Sequence, residues 1–345
     1  MPPTCPANPR RCVKGRPPRS CIEPAALRSY IAPRWLPGGH AQTIFAALSP
    51  PPAVAFTRER WDTPDGDFID LDWAGPPDAT RLLVLFHGLE GSSNSHYARA
   101  IVRSALAEGW RCVVPHFRGC SGELNRLPRA YHSGDSAEID WILRRIKAGS
   151  PSAEIYAVGI SLGGNALLKW LGERAEDAVQ VVAHAASISA PIDLAAAGRA
   201  LGSGFNMIYT RMFLDTLKRK AAAKLAQFPG SFDGKAMRAS RTLYDFDNAV
   251  TAPLHGFRDT DDYWARASSW PLLGGVRVPT LVLNARNDPF LPEGVLARTC
   301  NAAKHVTLEF PATGGHVGFL SGPFPGRHGW LATRILDFPA NRPFP

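Results

Sequence analysis

A change of rhythm along the chain constrains the fold more than any other feature. From Arg81 onward, short apolar runs alternate with amphipathic stretches of helical length. Arg81–Phe86, Arg111–Pro115, Glu154–Ile160 and Val179–Ser187 read as strands, with helices over Tyr97–Glu108, Ser136–Lys147 and Leu162–Glu173 between them. Continuous apolar strands belong to parallel sheets covered on both faces. The alternation therefore predicts an α/β class fold with a mostly parallel, doubly wound sheet. Upstream, Val54–Thr63 and Phe68–Trp73 read as an antiparallel pair joined through Pro64-Asp65-Gly66.

The alternation stops between Pro191 and Ala265, a stretch far longer than a crossover needs. It holds Phe205, Met207, Ile208, Tyr209, Met212 and Phe213 and a basic run from Lys218 to Lys224. We expect a helical cap over about 191–265, inserted above the sheet. The doubly wound pattern resumes at Thr280–Asn284 and Val306–Phe310 and ends in a helix near Gly329–Asp337.

Composition narrows the function classes. The chain has 345 residues, 45% of them hydrophobic, enough for one large core with an inserted cap. Its net charge is +9, but Arg10, Arg11, Lys14, Arg16, Arg19 and Arg28 face only Glu23 in residues 1–30, so +5 sits there. That Pro- and Arg-rich leader, 1–30, is expected to be disordered. The remainder is only mildly basic and carries no recognition motif, which argues against a nucleic-acid partner. Cys5, Cys12, Cys21, Cys112, Cys120 and Cys300 form no C-x-x-C pair, so neither a disulfide framework nor a zinc site is signalled. The leader lacks an apolar signal core, and no apolar run is long enough to span a bilayer. The expected location is the cytoplasm, with no metal and no cofactor.

The chemistry is concentrated in Gly159-Ile160-Ser161-Leu162-Gly163, a G-x-S-x-G between an expected strand and an expected helix. This context is the one a nucleophile elbow demands, because small residues two positions either side let the turn approach its neighbours. A serine hydroxyl needs an imidazole to take its proton, and the imidazole needs a carboxylate to fix its tautomer. In such folds the order along the chain is Ser, acid, His. Asp288 follows the strand Thr280–Asn284, and His316 follows the next strand within Gly314-Gly315-His316-Val317-Gly318. Both fall at the carboxyl edge of the sheet, where open α/β folds place their sites.

Asp193 is a rival acid, but Pro191-Ile192-Asp193-Leu194 also suits a helix start. His184 lies within a strand and reads as core. His87 precedes Gly88 and reads as a brace for the oxyanion loop, and Asp135 reads as an N-cap residue. A tetrahedral oxyanion needs donors. The Leu162 N–H, directly after the serine, is one. The glycines of His87-Gly88-Leu89-Glu90-Gly91 point to the Leu89 N–H as the other.

Further motifs extend this pattern: Pro37-Gly38-Gly39-His40-Ala41-Gln42-Thr43, Phe117-Arg118-Gly119-Cys120-Ser121-Gly122-Glu123, Gly256-Phe257 and Asp288-Pro289-Phe290. With these, from about Trp35 to the C-terminus, the chain resembles the YheT-like branch of the α/β-hydrolases. The resemblance implies a hydrolase domain over 31–345 and assigns nucleophile, acid and base to Ser161, Asp288 and His316. It also implies hydrolysis of short- to medium-chain carboxylic esters or monoacylglycerols, so the expected partner is a small-molecule acyl ester. The family often has two adjacent aspartates where this chain has Asn287-Asp288. Acyl transfer to an alcohol, a catalytically silent binding protein and a membrane-surface contact through the basic cap run are the alternatives to be weighed.

Overall fold

The computed structural model describes residues 30–340. Eight strands form one sheet: β1 Thr57–Asp62, β2 Phe68–Ala74, β3 Arg81–Phe86, β4 Arg111–Pro115, β5 Glu154–Ile160, β6 His184–Ile188, β7 Thr280–Leu283 and β8 Val306–Glu309. Their spatial order is β1-β2-β4-β3-β5-β6-β7-β8. β2 runs antiparallel to both of its neighbours, and every other pairing is parallel. The Pro64-Asp65-Gly66 hairpin and the mostly parallel sheet are as the sequence implies.

Helices cover both faces: α1 Gly39–Leu48, α2 His96–Ala107, α3 Ser136–Gly149, α4 Leu162–Arg174, the short α5 Glu176–Val179, and at the end of the chain a helix over Gly329–Ala340. Alternate side chains of the central strands feed two separate cores. Leu82, Val84 and Phe86 pack with α3 and α4 on one face, while Leu83 and Leu85 pack with α2 and the last helix on the other. Burying both faces is why the strands are apolar throughout.

Between β6 and β7 the chain leaves the sheet and folds as helices, α6 Leu194–Leu201, α7 Met207–Gln227, α8 Gly234–Ala239, α9 Leu243–Phe246, α10 Ala252–Leu254 and α11 Thr260–Ala267, so that the C-terminal helix is α12. This insertion has its own small core of Leu214, Phe232, Met237, Phe246 and Val250. The basic run does not form a solvated face. Lys220 turns inward to Glu90, Lys224 donates to the carbonyls of Asn125 and Leu127, and Lys218 donates to those of Arg238 and Ser240. Charge spacing alone does not reveal which lysines find acceptors across the fold.

Two other expectations change. Val179–Ser187 is not one strand. Ala175, at φ +44°, ends α4, and β6 starts only at His184, so Val181 and Val182 are buried in a turn rather than in a ladder. Asp135 stands before α3 but does not cap it, because its carboxylate accepts two 2.6 Å hydrogen bonds from Arg129. The leader and its three cysteines lie outside the described residues except for Tyr30, which is buried and donates to the Leu320 carbonyl at 2.6 Å. The helix α1 was not anticipated. Gly38, at φ +77°, supplies no side-chain cap, so the helix depends on packing through Ala46 and on buried Gln42 and Thr43.

In the insertion, a single π-helical turn over Asp247–Thr251 turns the Asp247 carboxyl toward Thr251 Oγ1 at 2.7 Å and Trp264 Nε1 at 2.9 Å. Burial pushes this carboxyl up to about 6, against those two hydrogen bonds. The unfolded carboxyl ionises near 4, so stability falls as pH rises from about 4 to about 6 and stays reduced above that. Asp247→Asn is expected to be more stable than the parent at pH 8 by on the order of 1–3 kcal/mol, and so to unfold at a higher temperature. The difference should vanish near pH 4 in thermal denaturation, and equal stabilities at pH 8 would contradict it.

Candidate active site

The site begins at the turn from β5 into α4. Ser161 sits at φ +52° and ψ −118°, and its N–H donates to the Ile188 carbonyl at 2.8 Å. A left-handed conformation at a non-glycine residue costs on the order of 1–3 kcal/mol. The surroundings hold it there by backbone proximity. A Cβ at Gly163 would lie 2.5 Å from the carbonyl oxygens of both Phe86 and His87, and one at Gly159 would lie 2.5 Å from the Gly163 oxygen. The flanking glycines are therefore a packing requirement, and they place the serine hydroxyl at the carboxyl end of the sheet.

His316 and Asp288 meet this hydroxyl. His316 Nε2 is 3.0 Å from Ser161 Oγ, and His316 Nδ1 is 2.9 Å from Asp288 Oδ2. The Asp288 side chain is fully buried, and its other oxygen accepts the Phe290 N–H at 2.9 Å. The Phe290 ring lies against the imidazole at a centroid distance of 4.1 Å. A carboxylate on Nδ1 selects the tautomer that leaves Nε2 free to accept a proton from the serine.

The rival residues are occupied elsewhere. Asp193 caps α6 through the Ala196 N–H at 3.1 Å and pairs with Arg298 at 3.0 Å. His184 is buried on β6, 3.6 Å from Glu154. Burial holds His87 down at about 3, so it is neutral. Its Nδ1–H donates to the Gly88 carbonyl at 2.8 Å, and its Nε2 accepts the Phe117 N–H at 3.1 Å. With both nitrogens engaged, His87 braces the loop that follows β3.

That loop is tied on either side of Leu89. The Gly88 N–H donates to the Tyr97 hydroxyl at 2.9 Å, and the Glu90 N–H to the Tyr131 hydroxyl at 2.8 Å. Tyr131 in turn donates to the Glu90 carboxylate at 2.9 Å. Glu90 has φ +55°, and from the insertion Lys220 reaches its carboxylate at 2.8 Å. Sequence reasoning missed Tyr97, Tyr131, Phe290 and the Glu90–Lys220 pair. Tyr131 and Lys220 lie 41 and 130 positions from Glu90, and although Glu90 and Phe290 fell within quoted motifs, no local pattern assigned them these contacts. A cavity between sheet and insertion opens on Ser161 and His316 and is lined by Leu89, Leu162, Leu201, Phe213, Phe246 and Val250 among others. Among the described residues no group of three or more His, Cys, Asp or Glu side chains could hold a metal ion, and no helix is long and apolar enough to cross a membrane.

Comparison with known proteins bears on the fold and the family. The profile of the alpha/beta hydrolase fold family matches residues 81–323. The candidate esterase YheT of Escherichia coli (strain K12) is 39% identical over 316 residues, covering 90% of this chain and 92% of its own. Human phospholipase ABHD3 is 28% identical over 326 residues, covering 91% and 79%. Among solved structures, the Pyrococcus furiosus esterase Pf2001 superimposes with a TM-score of 0.54 at 18% identity, over 84% of this chain and 96% of the esterase. The strained serine turn, the residues gathered on it and these relatives converge: the chain belongs to the α/β hydrolase fold family, in its YheT-like branch of esterase- and lipase-type hydrolases.

Proposed function

We propose that this hydrolase is a serine carboxylic ester hydrolase acting through an acyl-enzyme on short- to medium-chain acyl esters or monoacylglycerols. The observation that carries the reading is the hydrogen-bonded chain Ser161 Oγ, His316 and Asp288 at the floor of an apolar cavity. Ser161 attacks the ester carbonyl while His316 Nε2 takes its proton, and Asp288 stabilises the imidazolium so formed. The Leu89 and Leu162 N–H groups receive the oxyanion. His316 then protonates the leaving alkoxide, and the same imidazole activates the water that releases the acid. No metal ion and no cofactor takes part in this scheme.

Leu201, Phe213, Phe246 and Val250 supply an apolar wall for an acyl chain, and the location of the cavity beneath a folded cap gives that chain a limited length. In a series of p-nitrophenyl esters from acetate to palmitate, we expect kcat/KM to be highest for intermediate chains. A monotonic rise to palmitate would contradict the short- to medium-chain assignment.

The two aspartates make a sharper comparison. Ser161→Ala and Asp288→Asn should each lower kcat by roughly 10³-fold or more, because nucleophile and tautomer are lost. Asp193→Ala should leave kcat within about twofold while destabilising the fold by about 1 kcal/mol through the lost cap. Turnover of p-nitrophenyl butyrate alongside thermal unfolding separates the cases, and a Ser161→Ala protein with full activity would overturn the mechanism.

A further inference from the structure

We propose that α1 is part of the catalytic apparatus, with Gln42 and Thr43, together with Asn287, as positioning residues that hold His316 in register with Asp288 and Ser161. The inference rests on the serine mechanism above, and it concerns a helix that lies outside residues 81–323 of the family match.

The base-bearing loop is poorly suited to hold itself. Gly314 is at φ +151° and Gly315 at φ +61°, and two residues with side chains, Val317 and Phe319, are also left-handed at +57° and +40°. Such a segment persists only where surrounding contacts over-determine it. The contacts are supplied to three consecutive amides, each received by a side-chain oxygen. The Gly314 N–H donates to Gln42 Oε1 at 2.9 Å, the Gly315 N–H to Asn287 Oδ1 at 3.0 Å, and the His316 N–H to Thr43 Oγ1 at 2.8 Å.

The acceptors are themselves oriented. The Thr43 hydroxyl donates its proton to the Gly39 carbonyl at 2.7 Å, so a lone pair faces His316. Gln42 Nε2 donates to the Leu36 carbonyl at 3.0 Å, which turns Oε1 toward Gly314 and toward Asn287 Nδ2, also at 3.0 Å. Asn287 directly precedes Asp288. The loops that carry acid and base are therefore cross-linked to each other and to one helix. An aspartate at 287 would present two acceptors to each other at Gln42 Oε1, so the asparagine fits this pairing.

Close approach makes the clamp possible. A Cβ on Gly39 would stand 1.9 Å from the Asn287 carbonyl oxygen, and one on Gly315 would stand 2.7 Å from the Gly39 oxygen and 2.8 Å from Thr43 Oγ1. Gln42 is 1% and Thr43 7% exposed, and neither lines the cavity. Their contribution is to the placement of the imidazole, where a displacement near 1 Å costs about 100-fold in rate.

Thr43→Val keeps the shape of the side chain and removes the acceptor. With p-nitrophenyl butyrate it is expected to lower kcat roughly 10- to 100-fold with KM within about twofold, and Thr43→Ser should restore kcat to within about threefold. Second-order labelling of Ser161 by a fluorophosphonate should slow by the same factor as kcat, with full final stoichiometry. Asn287→Ala, measured in the same way, covers the case in which Thr43→Val folds poorly. Wild-type kcat in both variants, or a loss that matches only the unfolded fraction, would overturn the positioning role while labelling of the wild type left the serine mechanism standing. A wild type that the probe does not label at Ser161 would overturn the mechanism itself.

Discussion

The close contact between the serine turn and the strand beside it governs the rest of the site. Because Gly163 has no side chain, the first turn of α4 rests on the carbonyls of Phe86 and His87, and the serine is forced into the left-handed region at the end of β5. That single approach brings the serine turn against the loop after β3, where a Cβ on Gly88 would stand 3.2 Å from Ser161 Cβ. It is affordable because β3 and β5 pair along their full length, with Arg81 to Phe86 opposite Glu154 to Gly159, in a sheet buried on both faces. A strained turn on an exposed edge would relax. Here relaxation would break parallel ladder bonds inside two cores, which is far less favourable than the strain.

Around this fixed point, polar and apolar duties are divided between sheet and insertion. The strand ends and their loops hold the serine, imidazole and carboxylate, while the insertion contributes most of the apolar wall. The two parts meet in a charged contact, Lys220 from α7 on Glu90 in the loop after β3. Glu90 also receives the Tyr131 hydroxyl, so one carboxylate links the insertion, an aromatic side chain and the loop next to the expected oxyanion donor. Pairing neutralises a charge that would otherwise be costly at the edge of an apolar cavity.

Much of this was legible in the residues because local signals and global topology agreed. Gly159 to Gly163 between strand and helix, with Asp288 and His316 each just beyond a later strand, rests on periodicity and strand ends, both of which are local. What escaped lacked such a signal. Helix α1 begins at Pro37-Gly38-Gly39, residues that read as a turn, and its stability comes from packing on Leu36 and Leu320. Val181 and Val182 look like strand residues, but burial is met in a turn, and apolar content does not distinguish the two. The inward lysines were unreadable for a different reason. Their acceptors, Glu90 and the carbonyls of Asn125 and Leu127, are about 100 or more residues away, and no pattern within α7 records them. The stretch over 191–265 stood out by its length and was expected to be helical, whereas the bounds of its individual helices followed only from the structure.

The reach of α1 has a consequence for the order in which the molecule becomes competent. Thr43 and His316 are separated by 273 positions, and Gln42 and Gly314 by 272, so the partners in one clamp flank all eight strands of the sheet in sequence. During synthesis the helix therefore emerges before the first strand of the sheet, and its partner loop only after the last one. The clamp can therefore close only after all eight strands have been made, so support for the loop that carries His316 is a late property of the domain.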